Sequence, residues 1–233
     1  MSDARGSGQT PRAIADLADE LRARLYGFVR GRRAPVTREE AAQAVGISRK
    51  LAAWHLEKMV EHGLLEASYG RERGRRRGRS ARMYSSSPVE LTVSIPQRRY
   101  DLAAEVLMDA LKTTGQIGLA AAEEAARRSG ERAGAGTRRE RGLRPPGAER
   151  AMSVSEEVLA DLGFEPYRDG RGRVGLANCP FHSLARKDPG IICRVNRSFI
   201  EGIVRGLGNT SVAAVLEPTP GECCVRLESQ GGT

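Results

Sequence analysis

The sequence predicts an α+β protein of two modules, each joining helices to a short antiparallel pairing of strands. Three observations carry that prediction. Apolar residues recur at threes and fours over several segments, the period of a helix with one buried face. Short strand-like runs flank turn-rich stretches, the pattern of hairpins. Charge and cysteine are both segregated: residues 1–99 hold 20 Lys+Arg against 11 Asp+Glu, residues 100–233 hold 18 of each, and all four cysteines fall in the last 55 residues. The whole excess of +9 therefore sits in the first module, as expected of a polyanion-binding module joined to a balanced one. With 233 residues, 29% of them charged, the chain can fill two small cores and shows neither a membrane span nor a secretory apolar run. A soluble, cytoplasmic protein is the expectation, and there a metal, cluster or redox role for cysteine is favoured over a disulfide framework.

Residues 1–12 are small, polar and rich in breakers, and are expected to form a disordered tail. From Ile14, the positions Leu17, Leu21, Leu25, Phe28 and Val29 predict a first helix ending at Gly31-Arg32-Arg33. Thr37-Arg38-Glu39-Glu40 is a capping-box signal for a second helix running to about Val45, stopped by Gly46. Ser48 is the next N-cap, opening a third helix from Arg49 to His62. Leu51, Leu56, Met59 and Val60 are assigned to its inner face, which leaves Arg49, Lys50, Ala53, Trp54 and Lys58 outward. After Gly63, residues 64–69 and 81–85 read as strands around a loop of Gly and Arg that carries Arg71, Arg73, Arg75, Arg76, Arg77 and Arg79.

That order of elements, with the turn Ala41-Ala42-Gln43-Ala44-Val45-Gly46-Ile47-Ser48, resembles a winged helix-turn-helix over residues 13–87. The third helix would then read base edges of double-stranded DNA in the major groove with Ser48, Arg49, Lys50, Ala53, Trp54 and Lys58, while the wing arginines reach phosphates or the minor groove. The bland alternatives are a helical hairpin for protein contacts and a loop of solvated charge. Residues 96–112 predict a helix with a broad apolar face (Tyr100, Leu102, Ala103, Val106, Leu107, Met108, Leu111), which would pack on its copy in a homodimer or within its own domain. Residues 88–126 are thus a linker and dimerisation helix. Residues 127–150 lack periodic apolar residues and are expected to be a flexible loop.

Residues 151–233 form the predicted sensor domain. A capped helix over 153–162 precedes two strands flanking the turn pair Asp169-Gly170. Pro180 suits the first position of a helix, which would make Cys179 its N-cap with a lowered thiol pKa, and His182 lies three residues on. A further helix from near Pro189 would carry Cys193 in its opening turn, and strands over 212–216 and 222–227 would complete a small antiparallel sheet. The adjacent Cys223 and Cys224 point to opposite faces of a strand, so only one is expected as a ligand, and the alternation with Val225 and Leu227 favours Cys223 facing inward. Cys179, His182, Cys193 and one of that pair are chemically adequate for an iron–sulfur cluster or a closed zinc site. The alternative is buried cysteines of no special role.

The wing ending Gly78-Arg79-Ser80-Ala81-Arg82-Met83-Tyr84, with Asn178-Cys179-Pro180-Phe181-His182, Cys193 and Cys223-Cys224, resembles the SufR-type regulators, winged-helix repressors related to the ArsR and DeoR groups. The resemblance implies a homodimeric repressor with an iron–sulfur cluster in its C-terminal domain, held by Cys179, Cys193 and one of Cys223 or Cys224, with His182 or an outside ligand completing the set. Two other readings compete. One keeps the DNA-binding module but gives the second domain a small organic effector, with structural zinc or no metal. The other is an enzyme with Cys179 as nucleophile and His182 as base, disfavoured because no orienting third residue or oxyanion motif is evident.

Overall fold

The structure, a computed structural model, describes residues 9–32, 34–70, 80–88, 98–209 and 211–230. The chain divides into two compact units, Met1–Arg98 and Arg99–Thr233. The combination of helices with small antiparallel sheets is the α+β class read from the sequence.

In the first unit the single helix expected from Ile14 is two, α1 (Gln9–Ala18) and α2 (Glu20–Arg30). The break falls at Asp19, whose carboxylate caps α2 by accepting from Arg22 N at 2.9 Å. A buried Asp16 fixes the corner: it forms an ion pair with Arg22 and meets His62 Nδ1 at 2.5 Å. Helix therefore begins within the stretch expected to be a tail, at Gln9. A two-residue strand, β1 (Val36–Thr37), leads into α3 (Arg38–Val45), and the capping box forms as the sequence proposes, with Glu40 N on Thr37 Oγ1 at 3.1 Å and Thr37 N on Glu40 Oε2 at 2.7 Å. Gly46, at φ 78°, reverses the chain in the left-handed region that a side chain rarely adopts. α4 (Arg49–Glu61) follows, then β2 (Leu65–Gly70) and β3 (Ala81–Ser86). The sheet order is β1-β3-β2, antiparallel throughout, with Val36 opposite Tyr84 and Leu65 opposite Ser86. Leu25, Val29, Val45, Leu56, Met59, Leu65 and Tyr84 close the core beneath it.

In the second unit, α5 (Tyr100–Glu140) is interrupted at Gly115, where φ 57° and ψ −140° depart from helix. The expected helix over 96–112 is thus only its first part. Residues 127–140, expected to be a loop, are helical, and only residues 141–147 connect to α6 (Ala148–Asp161). The cause is glycine packing. Gly130 and Gly134 on α5 lie against α8 (Pro189–Gly206), which answers with Gly202 and Gly206. A Cβ on Gly130 would overlap Phe199 O, and one on Gly202 would overlap Arg127 O. The two backbones touch directly, a packing that needs no apolar periodicity and gains from weak Cα–H···O bonds. Ion pairs border the seam: Arg194 with Glu123 at 2.8 Å and Arg205 with Glu131 at 3.4 Å.

β4 (Pro166–Arg168) and β5 (Val174–Leu176) form the expected hairpin, but its loop is longer than an Asp-Gly pair. Asp169 N bonds Arg173 O, the Asp169 carboxylate accepts from Arg171 N and Arg173 N, and Gly172 takes the left-handed position. α7 (His182–Lys187), α8, β6 (Val212–Leu216) and β7 (Val225–Ser229) complete the unit, with sheet order β4-β5-β7-β6. Phe164, Leu176, Ile200, Ile203, Leu207, Val225 and Leu227 form its core with the inner face of α6.

Candidate nucleic-acid interface and cysteine centre

Three caps aim α4. Gly46 ends α3, Ser48 Oγ accepts from Leu51 N at 3.2 Å, and Gly63 at φ 79° releases the chain into β2. Arg49, Lys50 and Trp54 are exposed, as the sequence reading requires, whereas Ala53 and Lys58 are half-buried and Lys58 pairs with Glu61 at 2.7 Å. One inward assignment fails: Leu51 is 41% exposed, and Ala52 and His55 are buried instead. With Leu56 and Met59 they form a stripe at spacings of three and four, so the helix is rotated slightly from the face that large apolar residues alone would choose. Leu51 thus joins Arg49, Lys50 and Trp54 on the outer face. Wing residues Arg71, Arg73, Arg75, Arg76, Arg77 and Arg79 lie outside the described residues.

Sequence reasoning missed the brace behind this face. Glu57, on α4, accepts from the Tyr84 hydroxyl at 2.7 Å and from Arg82 Nη2 at 2.8 Å, tying the helix to β3 at the base of the wing. Burial, reinforced by the Glu57 bond, pushes the Tyr84 phenol up to about 12. Arg82 is also held over the Tyr69 ring at 5.7 Å. The only hint in the sequence is Glu57, an acidic residue in the middle of a helix whose exposed face is basic.

The cysteines form two couples. Cys193 and Cys224 are joined by a disulfide with Cα atoms 6.2 Å apart. Cys179 and Cys223 are free and buried, and the Cys223 thiol donates to Cys179, while Asn196 Nδ2 donates to Cys223 Sγ at 3.2 Å. Cys223 is buried in one cluster with Val225 and Leu227, but strand alternation does not place it there: β7 begins only at Val225, and Arg226 is buried as well. Cys179 is not an N-cap: the cap position of α7 belongs to Phe181, and Cys179 O accepts from His182 N in the preceding turn. Its thiol is nevertheless held down to about 7 by the Cys223 bond, against the opposing effect of burial and with help from Phe181 N–H. Cys193 lies in the second turn of α8, because Asp188 caps the helix and Pro189 begins it. His182 is exposed, and among the described residues no hydrogen bond joins its ring to Cys179.

The expected set of Cys179, His182, Cys193 and one of the last pair is therefore not brought to one point. Among the described residues no group of three or more His, Cys, Asp or Glu side chains is placed to hold a metal. Cys193 and Cys224 are committed to each other, so a cluster or a closed zinc site would have these two as donors only once that bond is opened.

The depressed Cys179 pKa has a stability consequence. Between pH about 7 and 9 the folded unit has released this proton while the unfolded chain still binds it, so stability rises with pH across that window and the gain is lost as pH falls through about 7. Cys179→Ser is expected to flatten that rise in urea unfolding at fixed ionic strength with the disulfide intact. An unchanged slope would remove the thiolate assignment.

Residues 17–67 match the family of helix-turn-helix domains. That span runs from the end of α1 through α3, the Gly46 turn and α4 into β2, so the match covers the elements that aim the exposed helix. No curated protein and no solved structure matches the chain. Residues 17–67 thus form a helix-turn-helix domain, followed by the β2–β3 hairpin of a winged helix, and this domain supports a DNA-binding regulator of transcription. Among the described residues no helix is long and apolar enough to cross a membrane.

Proposed function

We propose that the chain is a homodimeric repressor whose affinity for double-stranded DNA is set by the redox state of its C-terminal cysteines. One observation carries this reading: a disulfide and a reduced thiol couple lie side by side, and one helix serves both, through Cys193 and Asn196 of α8. Opening the Cys193–Cys224 bond frees the second turn of α8 from the segment before β7. The dimer interface in this reading is the first part of α5, where Tyr100, Leu102, Val106 and Leu107 are exposed and Met108 is buried inward. Two copies would then present two α4 helices to half-sites about one helical turn apart.

The iron–sulfur reading, and zinc as its substitute, would need Cys179, Cys193 and Cys223 or Cys224 to converge after the disulfide opens. Iron, sulfide and zinc analysis of anaerobically purified protein separates that from a thiol switch, which predicts four titratable thiols and no stoichiometric metal. For the output, duplexes are first selected from a random library by the reduced full chain. Reduced and diamide-oxidised protein should then differ about 5- to 150-fold in affinity for the selected duplex, the usual range of coupling between two sites. Cys193→Ser should bind identically under both conditions. Equal affinity of the two wild-type states would overturn the redox reading.

A further inference from the structure

Cys193 and Cys224 together line a cleft of about 470 Å³, within the ~300–1,000 Å³ usual for small-molecule sites. The first turn of α8 (Pro189, Gly190) forms one side, and the connection from β6 to β7 (Leu216, Pro218) forms the other. Both bonded cysteines are half-buried, while Cys179 and Cys223 are buried, so the disulfide is the sulfur chemistry that a solute can reach.

The charges of the cleft are unequal. Glu222 is already met by the Tyr167 hydroxyl at 2.6 Å and by Arg226 at 3.2 Å. Arg194, next to Cys193, gives Nε and Nη2 to Glu123 at 2.8 and 3.1 Å, but no described residue takes its Nη1, and the side chain stays 40% exposed. With that edge taken by Glu123, Nη1 still offers an anion such as a carboxylate a charge-assisted donor beside the sulfur–sulfur bond.

We propose that this cleft binds a carboxylate-bearing low-molecular-weight thiol, which reduces the Cys193–Cys224 disulfide by exchange. The thiolate of one molecule attacks one Sγ, the sulfur–sulfur bond breaks, and the other cysteine departs as a thiolate, leaving a mixed disulfide. A second molecule attacks that mixed disulfide at the ligand sulfur. The products are the oxidised dimer of the small thiol and two protein thiols, with one proton from each small thiol accounting for both. Arg194 would hold the carboxylate and favour the departing thiolate by its charge. The inference deepens the redox reading and rests on it only for the consequence in DNA binding.

The test uses oxidised full-length protein incubated with reduced glutathione or with cysteamine, which lacks a carboxylate. Reactions are quenched in acid, alkylated with N-ethylmaleimide, and adducts are counted by intact mass. Expected is a gain of two adducts at a rate that saturates with glutathione but rises linearly with cysteamine, after correction for thiolate fraction. Arg194→Gln should slow the glutathione reaction roughly tenfold below saturation, as loss of a charge-assisted bond implies, and leave cysteamine unaffected. Because Arg194 also clamps α5, the saturation contrast in the wild type stands as the primary measurement. Linear rates for both thiols, reduction only by a dithiol protein, or four adducts before any reductant would each overturn the site. If glutathione saturates but oxidised and reduced protein bind DNA equally, the cleft stands and the regulatory reading falls.

Discussion

Gly130→Ala is expected to destabilise the second unit by about 3 kcal/mol, the upper part of the range for forcing a methyl into packed surroundings. The sign is not obvious from the residue, since alanine favours an isolated helix over glycine by about 1 kcal/mol. Space decides it. A Cβ at Gly130 would overlap Phe199 O and sit 2.9 Å from Ile203 N, both backbone atoms that no rotamer change can move. At Gly136, on the same helix, an added Cβ would meet nothing within 4 Å, and Gly136→Ala should stabilise by about 0.5–1 kcal/mol. Urea unfolding of the two variants followed by helical circular dichroism checks the pair. Stabilisation by Gly130→Ala would mean that α5 and α8 do not meet at their glycines.

The second large effect is expected on DNA. Arg49→Ala combined with Lys50→Ala should weaken binding to the selected duplex by at least 100-fold, since removing a side chain that bonds a base edge costs about 1–3 kcal/mol. Lys58→Ala, whose ammonium is already taken by Glu61 at 2.7 Å, should change affinity only a few-fold. Removal of residues 71–79 should lower affinity evenly across sequences and reduce the salt slope, the behaviour of groups that bind phosphate. Fluorescence anisotropy at several salt concentrations distinguishes them. Double-variant binding within a few-fold of wild type would remove α4 as the reading helix.

The first unit was largely legible because its signals are local. Thr37 with Glu40, the left-handed Gly46 and the Ser48 cap are short-range chemistry, and each forms as its residues require. What escaped was tertiary. Asp16 reads as a surface residue until Arg22 and His62 close on it, and Leu51 loses the inner face to the smaller Ala52 and to His55. In the second unit the error over 127–140 has one cause: a pattern search weighs apolar side chains, and this helix is buried through their absence, at Gly130 and Gly134. The i, i+4 spacing of those glycines, repeated at Gly202 and Gly206, was the available signal. At the cysteines, residue type limited the chemistry to thiolate, disulfide or metal, but pairing is a matter of distance between segments 31 residues apart.

An interface made of backbone has no slack. Where side chains interdigitate, a helix can shift by a fraction of an ångström while rotamers on both sides absorb the movement, and little of it reaches the next element. Between Gly130, Gly134, Gly202 and Gly206 nothing can rotate, so α5 and α8 must travel as one body or separate at large cost. A displacement of α8 at Cys193 would then carry the second part of α5 with it as far as the break at Gly115, which gives the glycines of the seam a mechanical meaning as well as a steric one.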